Sequence, residues 1–200
     1  RDELGRQWQQ RTDTVKAAYD DQVRFVVLAS AGAGDLAGQA DEAEFRRLAA
    51  RYPDRVYFNS TFNQPLSKLI LAGGDFALVP SRFEPCGLVD YEASLLGTIV
   101  IGRATGGLAK VRDCAYLYQW LDISDRAGEA AAFLGQIAAA IETFRHRPAL
   151  HRQLMLQAMA IDAGWEKSAA QYLDMYRYGL LAKRWQGQRR DLVDRFVESL

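Results

Sequence analysis

Short apolar runs alternate with helix-like segments over the first two thirds of the 200-residue chain. Residues 24–29 (RFVVLA) form a β-branched and aromatic run that ends at a glycine-rich turn, which is typical of a strand buried on both faces of a parallel sheet. The same signals predict further strands and helices in alternation: strands at 56–58, 76–79 and 98–102, and helices at 41–51, 63–72 and 88–96. This alternation predicts βαβ units and a parallel sheet.

The last third of the chain has a different pattern, because its apolar residues recur at helical spacing without a strand signal between them. The sheet is expected to end by about Tyr118. The helical segments are predicted at about 133–144, 149–161, 166–184 and 190–200. We therefore predict an α/β fold with a peripheral helical segment at 1–22, a Rossmann-like domain at 23–178 and a C-terminal amphipathic helix at 179–200.

Composition and charge exclude several classes of protein. The chain is 49% apolar and 25% charged, so disorder is not expected. Its formal net charge is zero, so no overall electrostatic attraction to nucleic acid is expected. No apolar run approaches the ~18 residues of a membrane span. The two cysteines are too few for a disulfide framework and lack zinc-site spacing, which favours a reducing compartment. We expect a cytoplasmic protein, or a plastid one in a plant or alga, with no nucleic-acid, membrane or metal partner in this segment.

Ligands of open parallel sheets bind outside the carboxyl ends of the strands, so each loop after a strand is a candidate site. The first such loop, residues 29–38, contains Gly32-x-Gly34-x-x-Ala37, as a dinucleotide-binding turn does. Gly38 and the polar residues 39–41 are expected to delay the helix that should follow. The pattern favours a flexible strand-to-helix loop, with an NAD-binding turn as the weaker alternative.

The second loop, PSRFEPCGLVDYE at residues 80–92, carries two carboxylates, Glu84 and Glu92. With a helix starting near Leu88, Glu92 lies about two turns further along the chain than Glu84, which suits recognition of two separate hydroxyl-bearing parts of one ligand. Gly87 permits close approach of backbone to a ligand, and the helix start offers free N–H groups. The alternative is that Arg82 pairs with Glu84 and that Glu92 lies on a solvated helix face.

The third loop, ATGGL at residues 104–108, follows the next predicted strand. Two consecutive glycines leave backbone donors accessible to an anion or a hydroxyl. Because it follows a strand of the same sheet, this loop should face the same crevice as Glu84.

The stretch LVPSRFEPCGL at residues 78–88 resembles the signature of the glycogen and starch synthases nearly letter for letter. Further residues fall in the order and approximate spacing of that family: Gly97-Thr98, Thr105-Gly106-Gly107-Leu108, Gln157-Ala158-Met159-Ala160 and Trp165. The resemblance covers about residues 24–178, and the α-1,3-glucan synthases share much of it. These families are retaining glycosyltransferases of GT-B architecture, and the chain looks like their C-terminal, nucleotide-sugar-binding half.

The resemblance implies transfer of glucose from ADP-glucose or UDP-glucose to a growing α-glucan, with retention and without a metal or other cofactor. Glu84 would be the catalytic carboxylate and would contact the hydroxyls of the donor glucose. Glu92 would contact the ribose hydroxyls. Gly87 and Leu88 would place N–H groups on the sugar and the distal phosphate.

Other family positions complete the implied donor site. Phe62 matches an aromatic that stacks on the nucleobase, with a core Phe at a strand end as the alternative. Cys86 matches a cysteine near the donor and is interpreted as a small packed residue. The crevice would be lined by Thr105, Gly106 and Gly107.

Two departures from the family pattern change the expected activity. Val89 stands where bacterial members carry Thr, which removes a hydroxyl that could bind phosphate. The Arg and Lys that neutralise the diphosphate have no good match: Arg11 and Lys16 have the right mutual spacing but no preceding strand, and they are left out of the site. With the acceptor-binding N-terminal half also absent, the isolated chain is predicted to be inactive. The alternative is a non-catalytic GT-B-like scaffold or regulatory module.

The only two histidines, His146 and His151, flank Pro148 in a connection between helices. They are far in sequence from the glutamates. They are predicted to be a surface pair rather than metal ligands or catalytic groups.

Overall fold

The computed structural model describes residues 23–122, 124–162 and 164–198. The segment 1–22, with Arg11 and Lys16, lies outside the described residues, so its predicted helix stays a prediction.

Five strands and their connecting helices follow the predicted alternation within the described residues. The elements are β1 (Phe25–Leu28), α1 (Leu36–Arg51), β2 (Val56–Asn59), α2 (Gln64–Gly73), β3 (Phe76–Val79), α3 (Val89–Leu95), β4 (Ile99–Arg103), a 3₁₀ helix (Gly106–Cys114), β5 (Tyr116–Tyr118), α4 (Arg126–His146), α5 (Pro148–Met159) and α6 (Trp165–Glu198). β1 pairs with β2, and β4 lies between β3 and β5. Every one of these pairings is parallel, as predicted, although the hydrogen bonds form two groups of strands rather than one.

Side-chain caps set the start of several helices. Asn63 accepts from the Leu66 N–H at 3.0 Å and Pro65 lies in the first turn, so α2 begins as predicted. α1 begins at Leu36, so the predicted delay to residue 41 is wrong. The carboxylate of Asp35 accepts from the Gly38 N–H at 2.9 Å, and this cap starts the helix before the polar residues.

The core forms around β4, whose five residues are all buried. It consists of side chains from the strands, the 3₁₀ helix, α3 and α5: Ala77, Ala93, Val100, Leu108, Val111, Cys114 and Ala158. Because β4 has a strand on each side and apolar neighbours on its faces, the carboxyl ends of β3 and β4 are held on this buried core.

His151 is buried, so the predicted surface pair of histidines is wrong for this residue. Its ring lies edge-on against Phe144 and Phe76, with centroid distances of 4.9 and 5.5 Å. Burial lowers its pKa, and Asp75 partly offsets that effect. His146 is exposed, with Nε2 3.7 Å from Glu142. His151 differs from His146 because apolar side chains of β3 and α4 pack around it. These two elements are far apart in the sequence.

The chain divides into two compact units between Ile161 and Asp162. The second unit contains α6, a single helix that covers the segment predicted at 166–184 and continues through the one predicted at 190–200 as far as Glu198, where the described residues end. The domain boundary predicted at 178/179 falls inside this helix. Among the helices that the structure describes, none has the length and apolar character that crossing a membrane requires.

Candidate functional site

Two loops meet at the carboxyl ends of β3 and β4. We call residues 80–88 the glutamate loop and residues 104–108 the glycine loop. The Gly107 N–H donates to the Glu84 carbonyl oxygen at 2.7 Å. A Cβ on Gly106 would collide with the Glu84 carbonyl, and one on Gly107 with the Cys86 carbonyl. The glycines therefore allow the two backbones to touch, and the loops share one edge of the sheet as expected.

The Glu84 side chain is half-buried and bonded inside its own loop. Its Oε1 accepts from the Gly87 N–H at 3.0 Å. Gly87 has φ +72°, and a Cβ there would lie 2.5 Å from Oδ1 of Asp90. Only glycine fits this turn, and its N–H holds the catalytic candidate Glu84 in one orientation.

Arg82 pairs with Glu129, so the alternative of an Arg82–Glu84 pair is wrong. Nε and Nη2 of Arg82 lie 3.0 and 2.5 Å from Oε2 of the buried Glu129. Arg103, at the end of β4, donates to Oε1 at 3.2 Å and to the Trp120 carbonyl at 2.7 Å. This triad ties the glutamate loop to β4 and α4, and it engages Arg82 with Glu129 instead of Glu84. The sequence carries no short-range signal for it, because Glu129 lies 47 positions after Arg82.

Lys110 and Asp90 form a second ionic contact that the sequence reasoning missed. Nζ of Lys110 donates to the Gly87 carbonyl at 2.8 Å and to the Cys86 carbonyl, and it lies 3.6 Å from Oδ2 of Asp90. Asp90 is fully buried. Burial raises the pKa of its carboxyl, and the Lys110 charge opposes that rise.

Glu92 is exposed on α3, four residues beyond Leu88, whose carbonyl accepts from the Glu92 N–H at 2.9 Å. Leu88 and Val89 at the start of the helix are also exposed. This exposure agrees with the alternative of a solvated helix face and equally leaves Glu92 accessible to a ligand.

Two other candidates are more exposed than expected. Phe62 follows β2 and is 85% exposed, so the alternative of a core Phe is wrong. Cys86 is exposed, so its interpretation as a packed residue is wrong. Thr105 is half-buried, and its N–H donates to the Arg103 carbonyl at 2.8 Å.

The glycine-rich turn after β1 already holds a carboxylate. The Ala31 N–H donates to Oε1 of Glu42 at 2.5 Å, and this bond holds the pKa of Glu42 below its ordinary value. Arg46 contacts the other oxygen at 2.6 Å. With one donor of the turn taken by an anionic side chain, the turn does not favour a bound pyrophosphate. Nowhere in the described ranges do three or more His, Cys, Asp or Glu side chains group as metal ligands.

No protein-family model matches the chain. The glycogen synthase of Kosmotoga olearia is 35% identical over 181 residues, which are 86% of this chain and 36% of that protein. The glycogen synthase of Anaeromyxobacter dehalogenans is 39% identical over 155 residues, 77% of this chain and 32% of that one. The chain is a homologue of the glycogen synthases. It spans about a third of the length of these relatives.

Solved structures agree with this relationship. The catalytic domain of starch synthase IV from Arabidopsis thaliana, bound to ADP and acarbose, superposes with a TM-score of 0.65 at 26% identity, covering 78% of this chain and 32% of that one. The sucrose-phosphate synthase of Thermosynechococcus elongatus gives 0.53 at 26% identity, covering 84% and 41%. Both are GT-B glycosyltransferases, so the predicted GT-B-type α/β fold is confirmed for this glycogen synthase homologue.

Proposed function

We propose that the chain is the nucleotide-sugar-binding domain of a retaining α-glucan synthase that uses ADP-glucose or UDP-glucose. The observation that carries the proposal is the backbone contact between the glutamate and glycine loops, Gly107 N–H to Glu84 O at 2.7 Å, on the carboxyl edge of the sheet. It joins the two segments of the family signature in one place, and the similarity to glycogen synthases supports this substrate class.

In this proposal Glu84 binds the hydroxyls of the donor glucose. The bond from the Gly87 N–H fixes Oε1, so Oε2 is the oxygen offered to the sugar. Its orientation is set before the donor arrives, which lowers the cost of binding and of aligning the reacting carbon. The glycine loop, with Thr105, Gly106 and Gly107, closes the same side of the crevice.

The nucleoside would lie toward the exposed side chains at this edge. Glu92 would accept from the ribose hydroxyls, and Phe62 would stack on the base. Leu88 and Val89 would contribute backbone N–H groups to the distal phosphate, since Val89 has no hydroxyl to add. Cys86 would line the donor site without acting as a nucleophile.

The charge of the diphosphate limits what this chain does alone. Of the cations at the glutamate loop and in the 3₁₀ helix beside it, Arg82 is already paired with Glu129 and Lys110 with Asp90. One missing donor to a leaving group costs roughly 2.7 to 4 kcal/mol in transition-state stabilisation. We propose that the remaining cations and the α-glucan acceptor site belong to other parts of a longer protein, and that transfer there is metal-independent. The isolated chain would bind donor weakly and transfer little glucose.

Calorimetric titration of the chain with ADP, UDP and their glucose conjugates tests the proposal. We expect saturable binding that prefers one nucleotide, and about tenfold weaker binding for Glu92→Ala because a charge-assisted hydrogen bond to ribose is lost. Glu44→Ala, which changes an exposed helical glutamate on α1, is the matched control and should bind as the wild type does. Equal affinity of Glu92→Ala and the control would remove Glu92 from the site. No saturable binding of any of the four ligands would refute a donor site in this chain.

A further inference from the structure

Lys110 lies beside the glutamate loop and holds two of its carbonyl groups. Nζ donates to the carbonyl oxygens of Cys86 and Gly87, and it lies 3.8 Å from the centroid of the Tyr91 ring. The Lys110 side chain is 27% exposed. These contacts immobilise an ammonium group that would otherwise be free to meet a ligand.

The charge of Lys110 is matched by Asp90 on α3. Asp90 is fully buried, and neither of its carboxylate oxygens has a hydrogen-bond partner among the described residues. The nearest cation is Nζ of Lys110, 3.6 Å from Oδ2. Burying a carboxylate without hydrogen bonds costs free energy unless a cation lies close. The ion pair therefore holds Asp90 and Lys110 in place beside the glutamate loop.

Because a peptide bond is planar, the contacts of Lys110 with the two carbonyls also orient the N–H groups of the same peptides. In a trans peptide the carbonyl and the following N–H point in opposite directions. Since the Cys86 carbonyl points at Lys110, the Gly87 N–H points away from it, and it reaches Oε1 of Glu84 at 3.0 Å. By the same geometry, the Gly87 carbonyl on Lys110 directs the Leu88 N–H away from Lys110.

We propose that Lys110 is a positioning residue of the donor site, which holds the Cys86–Gly87 and Gly87–Leu88 peptides with their N–H groups turned toward Glu84 and the donor phosphate. Lys110 acts through the loop, because two of its three N–H donors are bonded to these carbonyls and its charge is paired with Asp90. This inference rests on the proposed function, which supplies the donor. It assigns a role to a residue of the 3₁₀ helix that begins within the glycine loop.

Three single variants measure the effect on binding of ADP and UDP by calorimetry. Lys110→Met keeps an unbranched side chain but loses the charge and the donors, and we expect at least about tenfold weaker binding. Lys110→Arg keeps the charge and N–H donors on a larger, planar group, so we expect an affinity between those of the wild type and Lys110→Met. Lys183→Met, an exposed lysine of α6, is the control and should not change the affinity. Wild-type affinity in Lys110→Met would overturn the proposal.

A double variant separates positioning from simple neutralisation of charge. Lys110→Met leaves Asp90 buried without a cation, which lowers stability for a reason unrelated to the loop. In Asp90→Asn/Lys110→Met that charge is gone, so we expect the urea unfolding midpoint to recover while the nucleotide affinity stays low. Recovery of both would show that Lys110 only neutralises Asp90, and the positioning role would be wrong.

Amide hydrogen exchange at Gly87, measured without ligand, distinguishes this inference from the proposed function. If Lys110 fixes the peptide, the Gly87 N–H loses its bond to Glu84 in the double variant and exchanges about tenfold faster than in the wild type. Unchanged exchange would overturn the inference. If the wild-type chain binds neither nucleotide, the proposed function fails, while the exchange of Gly87 still decides the role of Lys110.

Discussion

Two regions of the first compact unit differ sharply in packing. Within the described residues, every fully buried apolar side chain lies between Ala77 and Ala158, in the region of β3, β4 and β5. The region of β1, α1, β2 and α2 contains none, and in β1 both Phe25 and Val26 are more than 40% exposed. The two loops of the candidate site rise from the closely packed region, whereas Phe62 comes from the other one. Groups that align a reacting sugar need rigid support, while an aromatic ring that stacks on a base tolerates more freedom.

The ion pairs of the two regions provide the largest expected contrast. Glu129 is buried between Arg82 and Arg103, so Glu129→Ala leaves Arg103 as an unpaired, mostly buried charge and should destabilise the chain by about 3 kcal/mol. Glu44 pairs with Arg47 on the exposed face of α1, and Glu44→Ala should cost less than about 0.5 kcal/mol. Urea unfolding monitored by circular dichroism measures both. Equal losses would contradict the difference in burial.

A valine in each region allows the packing itself to be compared. Val100 of β4 is 1% exposed and Val26 of β1 is 48% exposed. Val100→Ala removes two buried methyl groups and leaves a cavity, for an expected loss of roughly 2 to 3 kcal/mol in the free energy of unfolding. Val26→Ala should lose under about 1 kcal/mol, because its side chain is already half in water. A larger loss at Val26 would show that β1 is covered in solution.

The smallest expected effect is a loss of folding stability at acid pH. It should originate from His151 in the closely packed region. Burial lowers the pKa of His151 in the folded chain, so folding opposes its protonation. Its contribution to stability is complete above the unfolded pKa of about 6.5 and is lost as pH falls through the folded pKa. His151→Leu, which also fills the site between Phe76 and Phe144, should lose less stability between pH 7.5 and 5.5 than the wild type. His146→Leu, at the exposed histidine, should keep the wild-type pH dependence, and a matching change in both variants would argue against His151 as the source.

Local signals were enough for most of the fold. The apolar runs at 24–29, 76–79 and 98–102 became β1, β3 and β4, because β-branched residues between turn signals have few other stable conformations. α1 starts before the predicted position, because the Asp35 cap begins the helix ahead of Gly38 and its polar neighbours. A cap of one residue outweighs weak helix propensity in the first turn.

The candidate site was only partly predictable. The positions of Glu84, Gly87, Gly106 and Gly107 follow from loops after parallel strands, and the structure brings these loops into contact. The ion-pair partner of Arg82 could not be predicted, because a pairing with the nearby Glu84 is equally consistent with the sequence alone. The exposure of Phe62 and the burial of His151 also depend on which faces of distant elements meet.

The sequence by itself therefore determined the alternation of strands and helices, the parallel sheet and the segments that carry the family signature, since each is encoded by residues a few positions apart. Only the tertiary structure decided that Glu129 holds Arg82 and Arg103, and that Lys110 and Asp90 lie beside the glutamate loop. Those contacts join residues about 20 to 47 positions apart. Their partners are selected by burial and by the geometry of packed elements, which no local pattern specifies.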